Sequence, residues 1–265
     1  MISDVFFKER HRINSRSFTR VRALPFSFVL VFVLRNSLKS LQNAVNELMS
    51  SSRQAPVSGS ACSQARYKLK HTAFIELNQK AVVETVYADG QYRKFRGMRV
   101  LGVDGSKILL PDSQDVRGEF GTVRYSQGAD SEVKGEYPYA LASVLYDVFN
   151  RIVLTAEPGK ATAYEVDLAV RHLEYARPGD LLIMDRNYPS YRMLAELSRR
   201  NLDFVVRCSS SSFSAARKML GGGGPDSQTV RLKPAPGRPA RFRQLGLPLT
   251  ITVRFVRVDS QVKSQ

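Results

Sequence analysis

Up to about residue 95 the apolar positions of this chain recur at helical spacing; beyond that point they run in short continuous blocks, as in buried strands. Pro25 suits a helix's first turn, and the run 26–34 continues into Leu38, Leu41, Val45 and Leu48 at helical intervals, predicting one long helix. A loop over 50–60 separates it from a second helix at 60–70, and Phe74, Leu77, Ala81 and Val82 extend an apolar face toward residue 87. From 98 the β-branched and aliphatic residues predict strands at 98–110, 137–146 and 151–156, with a polar loop over 112–135 between the first two. A helix follows from Thr162 as N-cap to about residue 175, with Glu165 at the capping-box position; Pro178 and Gly179 end it. Residues 181–184 form a fourth, wholly apolar strand, Pro189 opens a helix that turns Leu194 and Leu197 inward, and 202–206 form a fifth strand. After Val206 the texture changes to a Ser-rich stretch, four glycines at 221–224, a Pro- and Arg-rich stretch at 231–243 and an alternating strand at 249–258.

The expected organisation is a helical, basic domain over 1–95, an α/β core over 96–207 and a basic, strand-rich segment over 208–265. The core order β-β-β-α-β-α-β is that of a ribonuclease-H-like mixed sheet, in which strands one and four lie side by side. That topology brings together two aspartates far apart in sequence. Asp104 sits in the middle of the first strand, and Asp185 follows the fourth. Alone, Asp104-Gly105 reads as a hairpin turn and Asp185 as a helix cap. Together, each delivered by an apolar strand, they read as a rigid pair of carboxylates for a divalent cation.

Charge sharpens that picture. The chain has 265 residues and a net charge of +16, segregated by position. Residues 1–100 hold 17 Lys and Arg against 6 Asp and Glu; residues 101–205 hold 12 against 16; residues 206–265 hold 11 against 2. Basic arms around a mildly acidic centre imply a polyanionic partner, most simply nucleic acid, and an acidic centre suits metal capture. Arg66, Lys68 and Lys70 on the second helix, Arg186 beside Asp185, and Arg238, Arg241 and Arg243 in the Arg-rich stretch are the candidate DNA contacts. Cys62 and Cys208 belong to no paired motif and the three histidines are scattered, so neither a zinc site nor a disulfide framework is expected, and a reducing cytoplasm fits. The one long apolar run, 24–34, is about half the ~20 residues that span a bilayer, so no membrane role is expected.

The stretches GVDGSKILLP at 102–111, Phe120-Gly121 and MDRNYPSY at 184–191, with 18–34 and 60–70 in the N-terminal half, resemble DDE transposases of bacterial insertion sequences. The resemblance is to the subgroup whose ribonuclease-H-like domain is interrupted by a β-rich insertion. It implies Asp104 and Asp185 as catalytic and metal-holding acids, Mg²⁺ (with Mn²⁺ as substitute) as cofactor, and hydrolysis followed by strand transfer at the element's ends. It also implies double-stranded DNA as partner, action as a homodimer, and a cytoplasmic, nucleoid-associated location. The family's third acid, a glutamate in a Tyr-Arg-Glu-Lys pattern after the insertion, has no counterpart in this chain, and Glu196 precedes the fifth strand. The chain is therefore expected to be a C-terminally truncated, inactive transposase; the alternative is a non-catalytic DNA-binding fragment that inhibits an intact copy.

Overall fold

The computed structural model describes residues 1–20, 23–35, 37–125 and 135–258, and the chain divides into two compact units, Met1–Ala88 and Asp89–Gln265.

The first unit is helical: α1 (Val5–His11), α2 (Phe26–Leu34), α3 (Leu41–Ser51), α4 (Gly59–Arg66), α5 (Thr72–Leu77), a π-helical segment Asn78–Val83, and α6 (Glu84–Tyr87). Asp4, Ser40 and Ser58 cap α1, α3 and α4 through side-chain oxygens that accept backbone N–H groups. The predicted single helix from 26 to 48 is broken. Ser40 starts α3 afresh, and Leu38, fully exposed in the connection, matched the helical period without packing on anything. Phe7, Phe26, Leu30 and Ala73 form one buried cluster, and Val45, Met49 and Cys62 another. Buried His11 joins α1 to α5: its ring nitrogens lie 2.9 Å from Thr72 Oγ1 and 2.8 Å from Glu76 Oε2. The hydrogen bond from Arg10, assisted by His11, holds the Glu76 carboxyl below the usual carboxylate range.

The second unit runs β1 (Val100–Leu109), α7 (Gln114–Phe120), β2 (Thr122–Tyr125), β3 (Gly135–Asp147), β4 (Ile152–Lys160), α8 (Glu165–His172) with a 3₁₀ turn Leu173–Tyr175, β5 (Leu181–Met184), α9 (Tyr191–Arg199), β6 (Asp203–Val206), α10 (Ser214–Leu220), β7 (Ser227–Leu232), α11 (Pro239–Gln244) and β8 (Ile251–Val256). The sheet order β4-β3-β1-β5-β6, with β1, β5 and β6 parallel and β3 and β4 antiparallel, is the ribonuclease-H-like arrangement expected of the five core strands. β2 is added to it by pairing with the start of β3. Leu101, Val103, Leu182 and Met184 alternate onto one face and bury there against Val166, Ala169, Met193 and Leu197 of α8 and α9. The same core takes in Met219 of α10, Phe242 of α11 and Ile251, Val253 and Phe255 of β8; Phe242 meets Tyr191 edge-on at 5.1 Å. Among the described residues no helix is long and apolar enough to cross a membrane.

Two further expectations need correction. The polar stretch 112–135 contains α7, capped by Ser113, and β2; no residue of α7 is buried, so it left no hydrophobic period to read, and 126–134 lie outside the described residues. The α8 helix does not start from a Thr162 capping box. The amides of Ala161 and Ala163 are bound by the carbonyls of Phe120 and Lys160, so the chain is still turning there. Tyr164 is the N-cap, without a side-chain cap, and Glu165 becomes the first helical residue.

Two buried polar contacts hold the unit together and can be tested. Arg99, at the entry to β1, donates to both oxygens of Asp180, at the entry to β5, at 2.9 and 2.6 Å, with both side chains almost wholly buried. Arg99→Met leaves the buried Asp180 charge without its cation and with the Arg177 amide, at 2.7 Å, as its remaining donor among the described residues, and urea unfolding is expected to show a loss of roughly 3–5 kcal/mol. His172 is buried under the sheet with Nε2 3.0 Å from Ser143 Oγ, and burial lowers its pKa to about 4. Between about pH 6.5 and 4 the unfolded chain therefore binds a proton that the folded chain refuses. Stability contributed by this residue is complete above that window and falls as the pH drops through it, by up to ~1.4 kcal/mol per unit. Denaturation of His172→Gln across the same range is expected to lack that component.

Candidate functional site

The ladder between β1 and β5 pairs Val100 with Leu181 and ends with Val103 opposite Met184. Asp104 and Asp185 are the next residue on each chain, two steps beyond Gly102 and its partner Ile183 and so on the same face of the sheet. That face is opposite to the one packed on α8 and α9. It forms an open groove of about 740 Å³ lined by Gly102, Ala142, Val144, Tyr146 and Ile183, with both aspartates and Arg207 at its edge.

Each aspartate is fixed in the same way. The Gly105 amide donates to Asp104 Oδ1 at 2.9 Å, and the Asn187 amide donates to Asp185 Oδ1 at 2.8 Å. Both side chains are exposed, and among the described residues neither Oδ2 has a hydrogen-bond or ion-pair partner. Two carboxylate oxygens are thus left side by side just past the last pair of the β1–β5 ladder.

A third acid stands beside this pair. Glu165, on the first turn of α8 and partly buried, has its carboxyl pushed above the usual range, first by burial, then by the negative charges of Asp185 and Asp104; the Asn187 side chain and Lys107 oppose the shift. Tyr188, with 1% of its surface exposed, faces the same three carboxylates. Burial, then Glu165, Asp104 and Asp185, all push its hydroxyl pKa upward. Among the described residues no group of three or more His, Cys, Asp and Glu side chains is arranged to ligate one metal ion directly.

The basic residues expected from the sequence are distributed differently. Arg186 is exposed beside Asp185 but does not line the groove; Arg207, at the end of β6, does. Nothing in the sequence pattern singles out Arg207 among the chain's many cations, because only the parallel register of β5 and β6 carries it to the groove. Arg66 and Lys68 are exposed at the end of α4, and Arg66 borders a small cavity with Ser63, Tyr67 and His71. Lys70 instead turns its ammonium to the Arg10 carbonyl at 3.2 Å. Arg238, Arg241 and Arg243 are exposed on and before α11, with no ion pair among the described residues. Glu196 lies away from this chemistry, buried on α9 and paired with Arg199 and Arg200 at 2.9 and 3.4 Å.

No curated protein matches the chain. Among solved structures it is similar to a piggyBac transposase synaptic complex with hairpin DNA, with 11% identity, a TM-score of 0.41, and coverage of 90% of this chain and 51% of that one. It is also similar to the Mos1 strand transfer complex, with 13% identity, a TM-score of 0.28, and coverage of 73% and 63%. The chain thus spans between one half and two thirds of the length of these two. Residues 95–233, which include both aspartates and their strands, match the model of the transposase DDE domain, so the chain belongs to that family.

Proposed function

We propose that Asp104 and Asp185 hold a divalent cation for phosphodiester hydrolysis and strand transfer on double-stranded DNA, the chemistry of a DNA transposase. The observation that carries this reading is the β1–β5 ladder, directly beyond which lie two aspartates on one face of the sheet, each with one oxygen that has no partner among the described residues. The donor set fits Mg²⁺ or Mn²⁺: two hard anionic oxygens at an open groove, where a cation that keeps several waters has room for them. Bound there, the cation would supply Lewis-acid polarisation of a phosphoryl oxygen and a more acidic water.

The chain's own residues do the rest. The ladder pre-orients both carboxylates, and the Gly105 and Asn187 amides restrain their rotation. The apolar groove floor keeps the local dielectric low, which strengthens charge interactions at its edge. Arg207 at the groove, and Arg186 next to Asp185 in the chain, offer guanidinium groups to phosphate oxygens. Arg66, Lys68, Arg238, Arg241 and Arg243 contribute sequence-independent affinity for the DNA backbone. The same reading includes a homodimer acting on paired element ends at the nucleoid. A second reading, a DNA-binding protein that inhibits an intact transposase, is favoured by the exposed arginines of α11, which have no ion pair among the described residues, and needs no metal.

Fluorescence anisotropy of the full chain on a duplex oligonucleotide separates the two. Affinity is expected to fall steeply with salt and to rise about tenfold when EDTA is replaced by Mn²⁺ at constant ionic strength, because the cation screens two carboxylates from the phosphates. Asp104→Asn is expected to bind DNA more tightly than the wild type in EDTA and to gain nothing from Mn²⁺. Equal wild-type affinity in EDTA and Mn²⁺ favours the metal-free binder. Plasmid nicking that survives both Asp104→Ala and Asp185→Ala would contradict the catalytic assignment.

A further inference from the structure

β5 stops at Met184, whereas β1 runs on to Leu109. Beyond residue 103 the β5 side of β1 is therefore unpaired, and this notch connects the groove face with the helix face. Gly105 lies in the notch and presents no side chain. A Cβ built on it would stand 3.5 Å from the Glu165 carboxyl carbon and 3.5 Å from Tyr188 Oη, so those two groups converge on one point beside Asp104.

The sequence explains how each arrives there. β4 returns antiparallel to β3, and the turn over 161–163 starts α8 at Glu165, with Val166, Leu168 and Ala169 anchoring the helix in the core. Tyr188 lies between Asp185 and the Ser190 cap of α9, so the ring is buried while its hydroxyl points back at the acids. Among the described residues that hydroxyl has no hydrogen-bond partner. A buried hydroxyl left without a partner is destabilising. A phenol facing three carboxylates is suited to donate to an oxygen held at the site, as a cation's water ligand would be.

We propose that Glu165 and Tyr188 are positioning residues of the Asp104–Asp185 site, holding a water of the bound cation from the helix side of the notch. The inference rests on the metal reading of the two aspartates. Among the described residues no third carboxylate is placed to share one ion with the two aspartates, so Glu165 would act through water. Glu165 accepts one proton of that water in a hydrogen bond, and Tyr188 donates to the same water or to the Glu165 carboxylate. Neither group is consumed; together they restrict where the water sits relative to a phosphate in the groove.

The test is Mn²⁺ binding by the full chain, read from the electron paramagnetic resonance signal of free Mn²⁺, beside thermal melts in EDTA. Asp104→Asn is expected to abolish binding. Glu165→Gln is expected to weaken it about tenfold, the lower end of what the loss of an outer-shell partner costs, and Tyr188→Phe severalfold. In EDTA, Glu165→Gln is expected to melt no lower than wild type, since it removes one of three neighbouring negative charges; a residue that serves only the helix start would lower the melting temperature. Wild-type Mn²⁺ affinity in both Glu165→Gln and Tyr188→Phe, with binding lost in Asp104→Asn, overturns this inference and leaves the metal reading standing. Undiminished binding in Asp104→Asn, or no binding by the wild type, overturns both.

Discussion

The parallel pairing of β1 with β5 is the constraint on which the second unit depends. These strands are separated by about eighty residues, and three contacts fix them to one another: the backbone ladder, the burial of Leu101, Val103, Leu182 and Met184 on one face, and the Arg99–Asp180 pair at their entry. The ion pair sits where the β1–β5 ladder begins, and the aspartates lie just past its last pair, Val103 and Met184. Opposite charges are locked together at one end of the ladder; like charges are held together at the other. The first arrangement stabilises register, and the second costs electrostatic energy that a cation at the groove would relieve.

Unequal strand lengths turn that register into a site. Were β5 as long as β1, the notch at Gly105 would be filled by a paired backbone, and Glu165 and Tyr188 would be sealed from the aspartates. Because β5 ends at Met184, acids from both faces of one sheet meet at its edge. The groove face carries exposed aspartates on an apolar floor; the helix face carries a partly buried glutamate and a buried phenol. The difference in environment separates their chemistry: the exposed carboxylates keep free oxygens, while burial and two neighbouring charges raise the proton affinity of Glu165.

How much of this was legible in the sequence follows from what each residue's signal depended on. Asp104 and Asp185 are legible because an acid in the middle of an aliphatic strand, and another directly after a wholly apolar one, break a strong pattern, and the strand order then implies their adjacency. Glu165 was visible only as a capping residue, since Thr-x-x-Glu has a local explanation; its approach to the aspartates depends on where the 161–163 turn ends, which is set by bonds to Phe120 and Lys160. Arg207 was one cation among forty, distinguished only by the β5–β6 register. α7 and α11 escaped notice because α7 buries nothing and α11 buries a single residue, Phe242, within a Pro- and Arg-rich stretch. In the first unit, Leu38 fitted a helical period that Ser40 interrupts, a case in which capping overrode periodicity.

The central claim is that residues 104 and 185 share one ion. Anomalous diffraction from a crystal of this chain soaked in Mn²⁺ tests it most directly. The account predicts a single strong peak in the groove, within about 2.0–2.3 Å of one oxygen from each aspartate, with water completing the shell and one such water facing Glu165. A soaked crystal with no density between the two carboxylates, or with manganese bound by other residues alone, would contradict it.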